Sequence, residues 1–155
     1  MKRLIALLIA VLMMVSMTAC GSSEDEFASF PWSIGEANSY MFFQSDTVEL
    51  ILDEDTLTPS GASFTLVNNG EVDIQYGTGY SIQVKIQNQW YNVETFGETS
   101  SANKASLAAG EEVVIAENWA SLYSVLPEGT YRIIKEFSIL NYTNSFYICE
   151  TFEIE

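Results

Sequence analysis

The sequence predicts an all-β domain over residues 46–155, an antiparallel β-sandwich of about seven to eight strands. Apolar and polar side chains alternate through Tyr80–Gln87 with the two-residue period of a half-buried strand. Clusters of turn-forming residues separate one apolar stretch from the next. Helical patterns are scarce, with at most one short turn near residues 118–125, where Asn118 is the predicted cap and Pro127 follows the end. Short strands without long helices between them favour a sandwich over a parallel α/β sheet.

Residues 1–19 are predicted to be a signal peptide that directs the chain out of the cytoplasm. Lys2 and Arg3 give it a basic start, and an apolar stretch follows from Leu4 to Ala19. This stretch is shorter than the roughly 20 residues that a membrane-spanning helix needs, and its length suits the core of a secretory signal.

The end of this segment resembles a bacterial lipoprotein signal, because the small residues Thr18 and Ala19 directly precede Cys20. Met17 departs from the pattern, which usually has a branched apolar residue at that place. The resemblance implies that Cys20 is lipidated and becomes the first residue of the mature chain. Because two acyl chains anchor a protein stably, we expect attachment to the cell membrane on its extracytoplasmic side. An ordinary cleaved signal, with Cys20 as a bystander, is the alternative.

Residues 20–45 are predicted to be an acidic, aromatic-containing tether or an extra N-terminal strand. Gly21–Glu26 is small and acidic, as a flexible spacer is. The stretch that follows is too aromatic for a free linker, since it carries Phe27, Phe30, Trp32, Tyr40, Phe42 and Phe43. We favour packing against the domain over an interaction arm, because exposed aromatic patches usually mean a partner or aggregation.

The strands of the first half of the domain are separated by clear turn signals. Thr47–Leu52 alternates and is predicted to stop at the acidic residues 53–55. A turn at Thr58–Gly61 leads into a second strand, Ala62–Val67. Asn68–Gly70 then predicts a hairpin, because these residues tolerate positive φ.

The second half begins with the clearest strand of the chain, Tyr80–Gln87, and Asn88–Gln89 is predicted to turn it into Trp90–Val93. Three further strands complete the domain. They are predicted within Glu111–Glu117, Tyr131–Phe137 and Ser145–Ile154.

The segment from Leu126 to Tyr131 resembles the tyrosine corner of immunoglobulin-like and fibronectin-type sandwiches. In such a corner, a tyrosine at the start of a late strand bonds back to the backbone a few residues upstream. The resemblance implies that Pro127 and Gly129 make the bend and that the Tyr131 hydroxyl holds it.

Several separated landmarks extend this resemblance to a family of bacterial immunoglobulin-like domains found in secreted and lipid-anchored proteins. They are Asn68, Tyr76–Gly77, Trp90–Tyr91, Leu126–Phe137 and Phe152–Ile154. The paired cysteines of antibody domains are absent, so the likeness is to the bacterial type. It implies an immunoglobulin-like β-sandwich with no catalytic residues and no cofactor.

The charge of the chain excludes nucleic acid as a partner. The sequence carries 21 acidic and 6 basic residues, a formal net charge of −15, and nucleic-acid binding needs clusters of lysine and arginine. Such a surface favours solubility, cationic partners or loosely held divalent cations. Asp53 and Asp55 are weak candidates for a calcium site, because no complete calcium loop surrounds them and acidic turns are usually just solvated.

The residue inventory argues against an enzyme. The chain contains no histidine, which removes serine–histidine and cysteine–histidine catalysis as well as the commonest zinc ligand. If Cys20 carries lipid, Cys149 has no partner for an intramolecular disulfide, and its apolar surroundings predict a small buried side chain.

These observations predict a lipid-anchored, extracytoplasmic, immunoglobulin-like domain protein that is not an enzyme. Its expected role is protein binding or a structural role at the cell envelope. The alternative is a carbohydrate- or small-ligand-binding lipoprotein that serves a transporter or sensor. For that role, Trp32, Trp90 and Trp119 would form a stacking platform, although aromatic residues in strands are more often core.

Overall fold

The structure of the chain is a computed structural model that describes residues 34–37, 40, 42, 46–96 and 103–155, with the backbone alone for residues 36 and 37. The predicted signal peptide and Cys20 lie outside the described residues, as do Phe27, Phe30, Trp32 and Phe43.

Ten strands and one short helix form within the described residues. The strands are β1 (Ile34–Ala37), β2 (Val48–Thr58), β3 (Gly61–Asn68), β4 (Ile74–Gly77), β5 (Ser81–Ile86), β6 (Gln89–Val93), β7 (Lys104–Leu107), β8 (Glu112–Asn118), β9 (Gly129–Ile139) and β10 (Phe146–Ile154). The helix α1 spans Ala120–Tyr123. The strands exceed the predicted seven to eight because β1, β4 and β7 have four residues each, too few to show a period.

The strands form two antiparallel sheets. The smaller sheet has the order β2-β3-β8, and the larger sheet has the order β1-β6-β5-β9-β4-β7, with β10 paired to β9. Strand β9 pairs with three other strands of the larger sheet. Strand β10 pairs along most of its length, β5 pairs with Tyr131–Ile134, and β4 pairs with Phe137–Ile139. The predicted all-β antiparallel sandwich is therefore confirmed.

The core lies between the two sheets, where each contributes one face. In β3, burial follows the two-residue period without exception, as the prediction for a half-buried strand requires.

Three aromatic rings stack within this core: Phe152 lies 5.2 Å from Trp119 and 5.8 Å from Tyr131, measured between ring centroids. The Trp119 ring N–H donates a hydrogen bond to the carbonyl of Pro59 (2.9 Å), so its polar edge is satisfied in the interior.

Strand β2 does not stop at residues 53–55, contrary to the sequence prediction, but continues to Thr58. Its pairing with β3 becomes irregular between Asp53 and Thr58. The Thr56 hydroxyl donates to the Asp53 carbonyl (2.7 Å) and accepts from the backbone N–H of Ser63 on β3 (2.8 Å). These hydrogen bonds keep the acidic segment attached to the sheet, which a turn prediction from its composition did not foresee.

The hairpin predicted at Asn68–Gly70 is wrong, because the chain passes there from the smaller sheet to the larger one. The Asn68 side chain is buried and holds this crossing by donating to the carbonyls of Val72, Leu107 and Ala108 (3.0, 3.3 and 3.0 Å). The asparagine is therefore needed for its amide group and not for positive φ.

The turn between β5 and β6 lies at Gln87–Asn88, one residue before the predicted Asn88–Gln89. Both residues have positive φ (49° and 65°), which the primed turns of two-residue hairpins require. The helix α1 lies inside the predicted 118–125 segment, and its C-cap residue Ser124 also has a positive φ (66°). In the described part of the chain, no helix is long and apolar enough to span a membrane.

Candidate functional site

The four residues of the predicted tyrosine corner come together where α1 leads into β9. The Tyr131 hydroxyl donates a hydrogen bond to the carbonyl of Pro127 (2.9 Å), and burial raises the pKa of Tyr131. Gly129 has a φ of 157°, and a Cβ there would lie 3.4 Å from the Tyr131 ring. Leu126 is buried and donates its backbone N–H to the carbonyl of Pro59 (2.8 Å). All of these contacts are internal to the fold.

A buried ion pair links the two sheets. The Lys135 ammonium of β9 lies 2.7 Å from the Glu117 carboxylate of β8, and the two side chains are 2% and 10% exposed. Burial raises the pKa of Glu117, while the hydrogen bond and charge of Lys135 act in the opposite direction. The Tyr80 hydroxyl is buried and has no hydrogen-bond partner among the described residues. Burial together with the charge of Glu117 raises the pKa of Tyr80.

A second buried cation, Arg132, lies on the outer face of the larger sheet. Its guanidinium carbon is 4.6 Å from the ring centroid of Phe42 and 4.3 Å from that of Trp90. Its Nε donates to the Gln83 side-chain oxygen (2.7 Å), and the Gln83 amide donates to Asn92 (2.7 Å). The contact of Phe42 with the Arg132 guanidinium holds its ring against the sheet. Burial lowers the pKa of Arg132.

The described residues of the segment 20–45 contact the larger sheet. Strand β1 pairs with β6 at the sheet edge, and Phe42 forms a parallel bridge with Tyr147 of β10. The Tyr40 ring lies 5.1 Å from the Tyr147 ring. These contacts cover part of the outer face and part of the β10 edge.

The predicted weak metal candidates, Asp53 and Asp55, are exposed on β2. The described residues contain no group of three or more histidine, cysteine, aspartate or glutamate side chains that could hold a metal ion. Cys149 is a half-buried free cysteine on β10, and burial raises the pKa of its thiol.

The tryptophans in the described residues do not offer open faces to a sugar. Trp119 is 0% exposed and stacks on Phe152. Trp90 is half-buried, with Arg132 over its ring and the Lys85 ammonium 5.8 Å from its centroid. Trp32 lies outside the described residues.

Two adjoining concave regions of the described residues lie between β2 and β10, and together we call them the β2–β10 groove. The lower part, beside the later residues of both strands, has a volume of about 770 Å³. It is lined by Leu52, Glu54, Leu57, Thr58, Pro59, Thr130, Thr151, Phe152, Glu153, Ile154 and Glu155. The upper part, beside the earlier residues of both strands, has a volume of about 420 Å³ and is lined by Phe42, Val48, Glu49, Leu50, Ile51, Ile148, Cys149 and Glu150. Both parts contain acidic residues, and neither is lined by lysine or arginine.

The Glu150 carboxylate bridges the two sides of this groove. It accepts hydrogen bonds from the backbone N–H groups of Leu52 on β2 and of Thr151 on β10. Burial raises the pKa of Glu150, and these two hydrogen bonds oppose the rise.

Sequence analysis missed both the groove and the buried ion pair. The ion pair had a signal, because Lys135 shares the odd-numbered positions of Tyr131, Ile133 and Phe137 in one strand and must point to the same face. No sequence signal pointed to the groove, because β2 and β10 lie far apart in the sequence and become neighbours only through folding.

A comparison with protein-family models matches residues 44–153 to a family described as bacterial Ig-like domain. The match confirms the family resemblance and the immunoglobulin-like sandwich expected from the sequence landmarks. A comparison with curated proteins finds no match to this chain.

Proposed function

Because this chain belongs to the bacterial Ig-like domain family, we propose that it is a lipid-anchored, non-catalytic module on the extracytoplasmic side of the cell membrane. There it binds protein or has a structural role at the cell envelope. The proposal rests on the order of the segments: a basic and apolar start that ends at Cys20, followed by the immunoglobulin-like domain at residues 44–153. Such a signal delivers a chain to the envelope, and a lipidated cysteine keeps it there.

The chemistry of the domain supports a binding or structural role over catalysis. The sequence has no histidine, and the shifted groups Tyr131 and Tyr123 lie buried in the core, where burial raises the pKa of Tyr123 to about 12. The carboxylate of Glu117 is already committed to Lys135. Tyr131, Tyr123 and Glu117 stabilise the fold and line no common pocket, whereas the groups of an active site converge on one.

A pair of cysteine variants tests the anchor. Cys20→Ser removes the predicted lipid attachment, and Cys149→Ser removes the other thiol of the chain as a matched control. We expect wild type and Cys149→Ser to partition into the detergent phase of a cell extract. Cys20→Ser should move to the aqueous phase and lose the mass of the lipid on its N-terminal peptide. If Cys20→Ser partitions like the wild type and keeps the same N-terminal mass, the anchor is wrong.

A further inference from the structure

We propose that a recess on the outer face of the larger sheet binds a small organic cation that carries an alkylated ammonium group. The recess has a volume of about 210 Å³, and we call it the Tyr40 pocket. This site goes beyond the proposed function and does not depend on the lipid anchor. The residues that carry the inference are Tyr40, Tyr80, Ser81, Ile134, Glu136 and Tyr147.

The pairing of the larger sheet brings four of these side chains to one face. Glu136 of β9 lies opposite Tyr147 of β10, where the two side chains share a face. In the same way, Ile134 of β9 lies opposite Ser81 of β5. Ile134 and Glu136 alternate with Lys135, which points into the core, so all four lie on the outer face. Because Ile134 is 3% exposed, it forms the floor of the pocket.

Three tyrosine rings supply aromatic walls. The Tyr40 ring lies 5.1 Å from the Tyr147 ring at an angle of 57°, so the two rings form a corner and not a closed stack. The Tyr80 hydroxyl is buried, and the Tyr80 ring lies 5.9 Å from the Tyr123 ring, which fixes the third wall. An ammonium group within about 6 Å of an aromatic face is attracted to it, and several rings together form a cage for alkylated ammonium groups.

Glu136 supplies the negative charge of the pocket. Its carboxylate is half-buried and accepts a hydrogen bond from the Ser145 hydroxyl. The ion pair found within the described residues joins Lys135 to Glu117, so Glu136 has no lysine or arginine partner among them. The described lining of the pocket contains neither residue type. A carboxylate beside aromatic rings favours a cation, and the formal net charge of −15 concentrates cations around the chain.

The outer face already holds one cation of the chain by the same chemistry. The Arg132 guanidinium carbon lies 4.6 Å from the Phe42 ring centroid and 4.3 Å from that of Trp90. The Phe42 ring is 5.9 Å from the Tyr40 ring, so this arrangement borders the Tyr40 pocket. Aromatic rings on this face therefore stabilise a diffuse positive charge without a carboxylate, and the Tyr40 pocket adds one.

The size and the ligand set of the pocket favour an organic cation over a metal ion. Its volume far exceeds the roughly 10–15 Å³ that one water needs, so it accommodates a group with several methyl substituents. Calcium takes about six to eight oxygen ligands, whereas Glu136 is the one carboxylate in the described lining. The described residues also contain no cluster of three or more histidine, cysteine, aspartate or glutamate side chains suited to a metal.

The first test compares choline with its neutral carbon analogue, in which a tert-butyl group replaces the trimethylammonium group. The two molecules have the same shape and differ in charge. Isothermal titration of the full chain in non-ionic detergent should show saturable binding of choline and at least tenfold weaker binding of the analogue. Equal binding of the two molecules, or no saturable binding of choline, would overturn the proposal. Displacement of choline by glucose would show a carbohydrate site and would also overturn it.

Two variants of Tyr147 test the contribution of the ring. Tyr147→Leu removes the ring, and Tyr147→Phe keeps the ring and removes only the hydroxyl. We expect choline binding to weaken at least tenfold in Tyr147→Leu and less than threefold in Tyr147→Phe. Tyr142→Leu, at a position 69% exposed, is the control for loss of a tyrosine. Melting curves verify that the variants fold. Equal weakening by Leu and Phe at Tyr147 would assign the binding to the hydroxyl and contradict a cation held by rings.

Charge-matched variants locate the negative charge. Glu136→Gln should weaken choline binding at least fivefold, whereas Glu112→Gln, exposed in the other sheet, should weaken it less than twofold. Glu94→Gln makes the same change in a neighbouring recess that Tyr40 also lines. Equal effects of Glu136→Gln and Glu112→Gln would mean attraction by net charge alone. A larger effect of Glu94→Gln would place the cation in the neighbouring recess, and either result would overturn the assignment.

Discussion

The two sheets of the sandwich differ in how many of their faces are covered. The difference is visible in the burial of successive residues along β3 and β9. In the smaller sheet, β3 alternates strictly between buried and half-buried positions, and Ile51 and Val114 are 47% and 68% exposed on the outer face. In the larger sheet, five consecutive residues of β9, Tyr131–Lys135, are buried. One face of β9 packs on the core, and the other is covered by described residues of the N-terminal segment, such as Phe42. A sheet covered on both faces loses the alternation on which strand prediction depends.

The two cations of β9 show how each face accommodates a charge. Lys135 points into the core and pairs with a carboxylate, whereas Arg132 points outward and lies between two aromatic rings with a neutral amide as hydrogen-bond partner. Ammonium groups are compact and strongly hydrated, while a guanidinium is planar and weakly hydrated. The buried ammonium of Lys135 in the core therefore needs an anionic partner. The guanidinium of Arg132 on the outer face is stabilised by two aromatic rings and a neutral amide.

The largest effect is expected from removing the anion of the core pair. Glu117→Ala leaves the Lys135 ammonium buried without a countercharge, and we expect a loss of about 3–5 kcal/mol in the free energy of unfolding. Denaturant unfolding measures this loss. Glu112→Ala, exposed in the same strand, is the control and should change stability by less than about 0.5 kcal/mol. A loss under about 1 kcal/mol for Glu117→Ala would show that Lys135 finds water or another anion.

The double variant Lys135→Met with Glu117→Leu sharpens this result. It removes both charges and keeps apolar volume, so stability should return close to that of the wild type. If the double variant were as unstable as Glu117→Ala, packing and not the unpaired charge would explain the loss.

A smaller effect is expected on the outer face. Arg132→Met keeps the apolar stem but removes both ring contacts and the donor to Gln83, so we expect a loss of about 2 kcal/mol. Thermal unfolding, followed by circular dichroism, measures it. Lys104→Met, an exposed cation of the same sheet, should leave the melting curve nearly unchanged. Equal melting temperatures for Arg132→Met and the wild type would show that the aromatic contacts of Arg132 add no stability.

The smallest effect is expected at the tyrosine corner. Tyr131→Phe removes the hydrogen bond to the Pro127 carbonyl and keeps the ring that stacks on Phe152, so stability should fall by about 1 kcal/mol. Tyr142→Phe is the matched control, because Tyr142 is 69% exposed. Urea midpoints of the two variants provide the comparison, and coincident midpoints would contradict a stabilising role for the corner.

The sequence prediction was accurate where the signal for a strand is local and wrong where a distant residue decides the structure. Tyr80–Gln87 and Ala62–Val67 were located well, because their periods and turn signals are local. The extent of β2 was wrong. The Thr56 hydroxyl accepts a hydrogen bond from the backbone N–H of Ser63 on the neighbouring strand and donates one to the Asp53 carbonyl, and these bonds hold in the sheet an acidic segment whose composition predicts a turn. Asn68 was assigned to a hairpin although its buried amide holds a crossing between sheets. In both cases, the deciding partner lies outside the segment itself.

The sequence by itself determined the class of the fold and its family, because the two-residue period, the turn residues and the Leu126–Tyr131 pattern are properties of short stretches. Only the tertiary structure decided which strands lie at free edges, where Lys135 finds its anion and how Glu150 bridges β2 and β10. These features depend on contacts between residues distant in the chain, and no local pattern encodes a distance between two sheets.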